Sequence, residues 1–206
     1  MSGGLFLKDL ARARACFGKS GLRAALECLC SPGVQAVAVY RFGGWCARQP
    51  ALARIVLEPP RLVLDLLIKV LWGIEISRRA RIGPGLCIGH FGGITVSPHA
   101  VIGANCSLSQ SVTIGIAGEG ERRGAPVIGN DVYIGPGARL FGLINIGNNV
   151  KIGANAVVHR DIPDNAVVAL DPGFRIISYR GNRRAKLSAV PSPGSAPVRS
   201  KRYTAA

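Results

Sequence analysis

The sequence predicts an all-β solenoid, a left-handed parallel β-helix of hexapeptide repeats, preceded by an N-terminal α-helical domain. Aliphatic residues recur at intervals of six, and a glycine often follows them. Aromatic residues make up only 6% of the chain, while 27 of its 206 residues are glycine. This sixfold self-similarity is typical of a repeat architecture, in which stacked coils share one continuous core.

The sixfold pattern defines the coils. Three hexads form one triangular coil, each with its aliphatic side chain inside the prism, and the glycine that follows is expected to permit corner backbone angles that a side chain would oppose. A two-residue slip is expected just before Ile102, and the pattern breaks across residues 117–126, where we expect an excursion loop. The recurring residues are Ile76, Ile82, Ile88, Ile94, Ile102, Leu108, Ile114, Ile128, Ile134, Leu140, Ile146, Ile152 and Val158.

The remainder of the chain divides around this solenoid. Residues 1–75 show helical periodicity over 5–17, 22–30, 34–49 and 51–70, so we expect a helical domain that covers the first coil. The β-helix is expected over 76–180, and a basic, disordered tail over 181–206. Residues 62–76 are strongly apolar but too short and too interrupted by charge to span a bilayer, and we expect them to pack in the core.

Charge and cysteine content narrow the function classes. The net charge of +15 is spread along the chain rather than concentrated in one basic module, which argues against nucleic-acid binding. An anionic small molecule or an acidic membrane surface accounts for it equally well. The six cysteines show neither a CxxC pair nor zinc-finger spacing, so we expect free thiols and no metal. The N-terminus has no secretory signal pattern, which indicates the cytoplasm and leaves its inner membrane face open.

His90 is the candidate for chemistry among three histidines. It lies in Ile88-Gly-His-Phe-Gly-Gly-Ile94, where a prism corner is expected and where Gly92 and Gly93 leave room for a ligand. Glu75 precedes it by fifteen residues, close to one coil, so a carboxylate could orient the imidazole as a general base. A solvated corner histidine explains the same pattern as well. His99 and His159 are expected to be structural or solvated.

Residues from about 34 to 180 resemble the serine O-acetyltransferase branch of the hexapeptide acyltransferases. The segments that carry the resemblance are Leu108-Ser-Gln-Ser-Val-Thr-Ile-Gly115, the repeats from Ile128 to Val158, and Tyr40-Arg-Phe-Gly-Gly-Trp45. The resemblance implies an enzyme, an acetyl-CoA-dependent homotrimer with His90 as general base and Glu75 as its acidic partner. It also implies a CoA site between adjacent prisms, formed by Gly115, Gly135, Ala138, Lys151, Ala154 and Arg175.

Two departures from that branch bear on the acceptor. The family's aspartate ahead of the catalytic histidine, which holds the substrate amine, is Gly89 here. Its Arg-His pair in the excursion loop, which engages the serine carboxylate, is Gly124-Ala125. The segment Gly73-Ile-Glu-Ile76, with which the chain enters the prism, is similar to the corresponding segment of exopolysaccharide O-acetyltransferases of the colanic-acid type.

The resulting expectation is O-acetylation of a sugar hydroxyl in exopolysaccharide or glycan biosynthesis, with Gly92, Gly93, Arg122 and Arg123 near the saccharide acceptor. Serine O-acetyltransferase of cysteine biosynthesis is the alternative. A third hypothesis, a non-catalytic scaffold, is disfavoured because both His90 and Glu75 are present. A dimer of trimers through the helical domain and peripheral membrane contact are left open.

Overall fold

A computed structural model of the protein describes residues 2–17, 22–120 and 123–170. Within these ranges four helices precede fourteen short strands. The helices are α1 (Ser2–Phe17), α2 (Leu22–Leu29), α3 (Pro32–Cys46) and α4 (Ala51–Trp72). The strands are β1 (Ile74–Ile76), β2 (Arg81–Ile82), β3 (Cys87–Ile88), β4 (Ile94–Val96), β5 (Val101–Ile102), β6 (Ser107–Leu108), β7 (Thr113–Gly115), β8 (Val127–Ile128), β9 (Tyr133–Ile134), β10 (Arg139–Phe141), β11 (Asn145–Ile146), β12 (Lys151–Ile152), β13 (Val157–Val158) and β14 (Val167–Val168). The expected tail, residues 181–206, lies outside the described residues.

The strands form three parallel sheets, one for each side of a prism. Their orders are β1-β4-β7-β10-β13, β2-β5-β8-β11 and β3-β6-β9-β12-β14, so every third strand stacks on its predecessor. The recurring aliphatic residues of the sequence are all buried, and Ile114, Ile134, Leu140 and Ile152 have no exposed surface. The prediction of a parallel β-helix behind N-terminal helices is therefore confirmed.

The glycines after the core aliphatics are required for a different reason than the sequence suggested. None of them has a positive φ. A Cβ built on Gly129 would instead lie 2.7 Å from the carbonyl oxygen of Gly147 in the next coil. The left-handed corner positions are occupied largely by residues that tolerate αL through short polar side chains, among them Asn105, Asp131 and Asn155. The expectation about glycine backbone angles is thus wrong, because close stacking of successive coils sets the requirement at these glycines; Gly89 is the exception, since a Cβ there would meet nothing within 4 Å.

The two-residue slip lies at the His90 corner and not before Ile102. Ile94 pairs with Ile74, twenty residues earlier, and Val96 pairs with Ile76, whereas the next coil brings Ile114 beside Val96 after eighteen. Ile94 and Val96 are both aliphatic and both point inward, so the sequence alone cannot decide which continues the repeat. The extra residues, Phe91 and Gly92, directly follow His90.

A buried ion pair fastens the N-terminal helices to the first coil. Arg41 Nε on α3 lies 2.7 Å from Asp9 Oδ2 on α1, and both side chains are buried. The second oxygen of Asp9 accepts hydrogen bonds from the backbone N–H groups of Gly85 and Leu86. Arg41 Nη1 donates to the carbonyl oxygen of Ile82. One charged pair therefore joins α1, α3 and the corner between β2 and β3.

Helix α4 does not pack as expected. Its only fully buried residue is Arg61, while Leu62, Val63 and Leu66 are exposed. Ile68 and Trp72 pack against the prism core. The expectation that residues 62–76 fill the core is therefore wrong for most of α4, because the helix turns its charged stripe inward. Across the described ranges, no helix combines the length and the apolarity that crossing a membrane demands.

Candidate active site

His90 stands exposed at the corner between β3 and β4. Gly92 and Gly93 follow with φ of 101° and 67°, values that favour glycine and let the two extra residues bulge outward. A Cβ built on Gly89 or Gly92 meets nothing within 4 Å. Phe91 packs edge-on against Trp72, with ring centroids 5.4 Å apart. The imidazole is thus carried by an anchored corner with open space on both sides.

Gln110 lies at the corner one coil above the His90 corner, and the sequence analysis missed it. Ile88 pairs with Leu108, so His90 and Gln110 each lie two residues beyond a paired position of neighbouring strands. The Gln110 Oε1 atom is buried without a hydrogen-bond partner among the described residues. An unsatisfied buried oxygen costs roughly 1–3 kcal/mol, so such an atom calls for an explanation, which a catalytic role, a water or an ion can supply. The sequence carries no signal for Gln110, because the twenty-residue offset between Ile74 and Ile94 is known only from the strand pairing.

Glu75 flanks the same corner but binds a different partner. It projects outward from β1. Gly73, the residue before β1, lies against the same corner, because a Cβ built on Gly73 would lie 3.2 Å from the Gly93 nitrogen. Its carboxylate lies 3.0 Å from Lys69 Nζ, and that hydrogen bond is the main cause of the raised pKa of Lys69. His90 makes no hydrogen bond to Glu75 within the described chain. The orienting role of Glu75 therefore stays a prediction.

The cysteine thiols near this corner are poor nucleophiles. Burial, with a smaller contribution from the neighbouring Cys16, raises the pKa of the Cys87 thiol to about 12. Burial also raises the pKa of Cys106. Both thiols therefore stay protonated near neutral pH, which makes a cysteine nucleophile unfavourable at this corner.

The residues expected to bind CoA differ in how exposed they are to solvent. Lys151 and Ala154 are exposed, and Ala154 lies in the corner column of His90, three coils higher by the strand register. Ala138 has no exposed surface and belongs to the core, so only its backbone can meet a ligand. Gly135 is buried, and a Cβ there would lie 2.8 Å from the Ile152 oxygen.

Two of the residues expected to bind CoA, Gly115 and Lys151, face aromatic rings of the same chain. A Cβ on Gly115 would lie 2.7 Å from the Phe141 ring, so that ring already covers the glycine. Lys151 is held over the face of Tyr133, with its Nζ 5.9 Å from the ring centroid. Arg175 lies outside the described residues.

The excursion between β7 and β8 is a hairpin closed by two hydrogen bonds between the backbones of Ala117 and Gly124. Arg123 is exposed on it, and Arg122 lies outside the described residues. A Cβ built on Gly124 would lie 2.8 Å from Leu143 Cβ, and Ala125 is buried. Leu143 therefore occupies the space that a long side chain at position 124 would need.

A sizeable cavity lies away from His90. It has a volume of about 540 Å³ between α3 and the β1–β2 corner, and Arg48, Arg79 and Arg81 contribute to its lining. Within the described ranges no three His, Cys, Asp or Glu side chains are grouped so that they could hold a metal ion. The open corner at His90 is the better candidate for acyl transfer because it combines a histidine, glycine clearance and an unpartnered oxygen.

Comparison with known proteins bears on the family. No protein-family model matches the chain. The serine acetyltransferase of Synechococcus elongatus is 37% identical over 169 residues, which cover 81% of this chain and 66% of that protein. The serine acetyltransferase of Mycobacterium tuberculosis is 37% identical over 152 residues, covering 72% of this chain and 63% of the relative. The chain thus spans just under two thirds of the length of these curated relatives.

Solved structures agree with these relatives. Serine acetyltransferase from Neisseria gonorrhoeae in complex with serine has a TM-score of 0.67 at 30% identity, covering 83% of this chain and 67% of that one. A serine acetyltransferase in complex with cysteine has a TM-score of 0.68 at 31% identity, covering 85% of this chain and 69% of the other.

The expectation of a sugar acceptor in exopolysaccharide or glycan biosynthesis is wrong by this comparison, because these relatives and structures are serine acetyltransferases. Missing charged side chains at Gly89 and Gly124-Ala125 led to it. A lost contact indicates weaker binding of one substrate, but it does not identify another. The hexapeptide-repeat resemblance itself is confirmed.

Proposed function

Because this chain belongs to the serine acetyltransferase family, we propose that it transfers the acetyl group of acetyl-CoA to the hydroxyl of L-serine. The observation that supports the proposal most is the exposed His90 on a glycine corner that carries two additional residues. The product, O-acetyl-L-serine, would serve cysteine biosynthesis. The same proposal places the protein in the cytoplasm.

His90 acts as the general base in this proposal. Its imidazole takes the proton from the serine hydroxyl while that oxygen attacks the thioester carbonyl carbon, and the carbon–sulfur bond then breaks. The proton passes to the departing CoA sulfur, so the histidine returns to its starting state. A backbone N–H at the corner stabilises the developing oxyanion. Glu75 orients the imidazole once it is released from Lys69.

Gln110 supplies the amine contact that Gly89 lacks. Its buried, unpartnered oxygen lies one coil above His90, where it can accept a hydrogen bond from the serine ammonium group. A hydrogen bond to a charged group contributes roughly 1.5–3 kcal/mol. Gln110→Leu should therefore raise the KM for serine at least about tenfold, while the KM for acetyl-CoA stays near its original value.

Among the described residues of the hairpin, Arg123 offers a cation for the serine carboxylate. It is exposed on the hairpin beside the position where Leu143 blocks a longer side chain at Gly124. Acetyl-CoA extends from the His90 corner towards Ala154, with Lys151 as a cationic contact. Adjacent prisms of a homotrimer form the walls of this groove.

Thiol release from acetyl-CoA tests the proposal. L-serine is compared with L-threonine, D-serine and a panel of sugars, using the wild-type chain, His90→Ala and the control His99→Ala. We expect turnover with L-serine, a loss of about 10²–10⁴-fold in His90→Ala, and little change in the control, because His99 is an exposed turn residue. Turnover with a sugar but not with L-serine would contradict the proposal.

A further inference from the structure

The cavity between α3 and the first two coils is lined by positive charge, and we call it the arginine cavity. Its floor is the side of the prism on which Arg81 pairs with Val101 and Ile82 with Ile102. One wall is the second half of α3, and the rim is the corner between β1 and β2. Among the described residues its lining contains five arginines and neither aspartate nor glutamate. The five are Arg41, Arg48, Arg78, Arg79 and Arg81.

Two of the five arginines are paired with carboxylates of the same chain and help to fix the walls. Arg41 Nε lies 2.7 Å from Asp9 Oδ2, and Arg78 Nη1 lies 2.7 Å from Glu58 Oε1. The Tyr40 hydroxyl donates a hydrogen bond of 2.7 Å to a carbonyl oxygen of the rim, which joins α3 to that corner. The walls are therefore held in place without any ligand, and this lowers the ordering cost of binding one.

The other three arginines, Arg48, Arg79 and Arg81, have no such partner. In the part of the chain that the structure describes, their guanidinium groups make neither a hydrogen bond nor an ion pair. All three side chains are exposed to solvent. A concave site lined by one sign of charge focuses its field on a ligand of the opposite sign. The arginine cavity therefore presents three free cations around a volume of about 540 Å³.

We propose that the arginine cavity binds a small organic molecule that carries a diphosphate group. A planar guanidinium donates two parallel hydrogen bonds to phosphate oxygens, so three guanidinium groups around one space require several acceptor oxygens close together. A diphosphate supplies them, whereas a single carboxylate does not. Leu5, Tyr40 and Val101 give the lining an apolar part against which the organic group packs. The volume lies within the range of about 300–1,000 Å³ that is typical of small-molecule sites.

The arginine cavity is separate from the site proposed for acetyl transfer. His90 lies at the corner between β3 and β4, whereas the cavity lies along β2 and β5 below the corner between β1 and β2. None of the residues assigned above to serine or acetyl-CoA contributes to its lining. A nucleic acid is a poorer fit, because its backbone requires cations along an extended track and these three surround one cavity. The diphosphate compound is therefore a ligand in addition to serine and acetyl-CoA.

Titration calorimetry of the full chain with inorganic pyrophosphate tests the proposal. Arg79→Gln/Arg81→Gln is compared with Arg54→Gln/Arg160→Gln, which removes the same charge from two exposed arginines outside the cavity. We expect similar affinity for the wild type and the control, and binding at least about tenfold weaker for the cavity variant, because charge-assisted hydrogen bonds are lost. Equal affinities for all three proteins, or no binding to the wild type, would overturn the proposal.

A second pair of variants separates charge from shape. Ala47 lines the cavity and is exposed, so a longer side chain there reaches the free arginines without disturbing the core. Ala47→Glu adds a carboxylate that competes with pyrophosphate, and Ala47→Gln adds a side chain of the same size without charge. We expect binding to weaken several-fold more in Ala47→Glu than in Ala47→Gln, with circular dichroism unchanged in both. Equal weakening would show that charge does not direct binding and would overturn the proposal.

Three other probes identify the ligand class. ATP, an organic compound that contains a diphosphate, should bind to the wild type and lose affinity in Arg79→Gln/Arg81→Gln. Acetate binding as tight as pyrophosphate binding would overturn the requirement for a diphosphate. An oligonucleotide that binds more tightly than ATP through the same two arginines would assign the cavity to nucleic acid and overturn the proposal. None of these readouts uses acetyl transfer, so failure here and failure of the serine assay are distinguishable.

Discussion

Replacing Gly129 by alanine tests the stacking of the coils. A Cβ built there would lie 2.7 Å from the oxygen and 2.8 Å from the carbon of the Gly147 carbonyl, and neither backbone atom can move without shifting the coil above. Overpacking of this kind costs about 1–3 kcal/mol. For a chain of this size each kcal/mol lowers the melting temperature by about 2–4 °C.

Gly89→Ala is the matched control, because a Cβ at Gly89 meets nothing within 4 Å and Gly89 has no positive φ. Both substitutions reduce the freedom of the unfolded chain equally, so that contribution cancels in the comparison. Urea unfolding of both variants at one protein concentration should show a lower midpoint only for Gly129→Ala. Equal midpoints would refute close coil stacking as the reason for glycine at these corners.

Three further substitutions test other contacts. Asp9→Ala leaves Arg41 buried without its partner and should cost about 3–5 kcal/mol in urea unfolding. Gly89→Asp fits the open space and should raise kcat/KM for L-serine about tenfold or more by adding a charged contact to the ammonium group. The hydrogen bond from Arg61 is the main cause of the lowered pKa of Glu58. The pair therefore stabilises the fold above the ordinary Glu pKa of 4.5 and loses this effect as the pH falls through the lowered value. Glu58→Gln should reduce the dependence of unfolding on pH in that acidic range.

The prism could be predicted from the sequence because its repeat is local. An aliphatic residue every six positions has one favourable arrangement, with each side chain stacked on its equivalents above and below. The helices could be located for a similar reason, since their periodicity is independent of what they contact. His90 could be singled out because a histidine among glycines at a corner is rare within such a repeat.

The rest depended on contacts between distant residues. The slip could not be placed, because Ile94 and Val96 both suit the interior and only pairing with β1 distinguishes them. Gln110 can be placed near His90 only when the length of the coil at His90 is known. The inward charged stripe of α4 depends on Arg78 and Glu75, which lie outside the helix and pair with Glu58 and Lys69.

Product identification by mass spectrometry is the most direct test of the central claim, acetyl transfer to serine with His90 as base. The chain is incubated with acetyl-CoA and L-serine, and O-acetyl-L-serine is quantified for the wild type, His90→Asn and His99→Asn. We expect product from the wild type and from His99→Asn, and a loss of at least about a hundredfold in His90→Asn. Equal product from all three proteins, or none from the wild type, would contradict the claim.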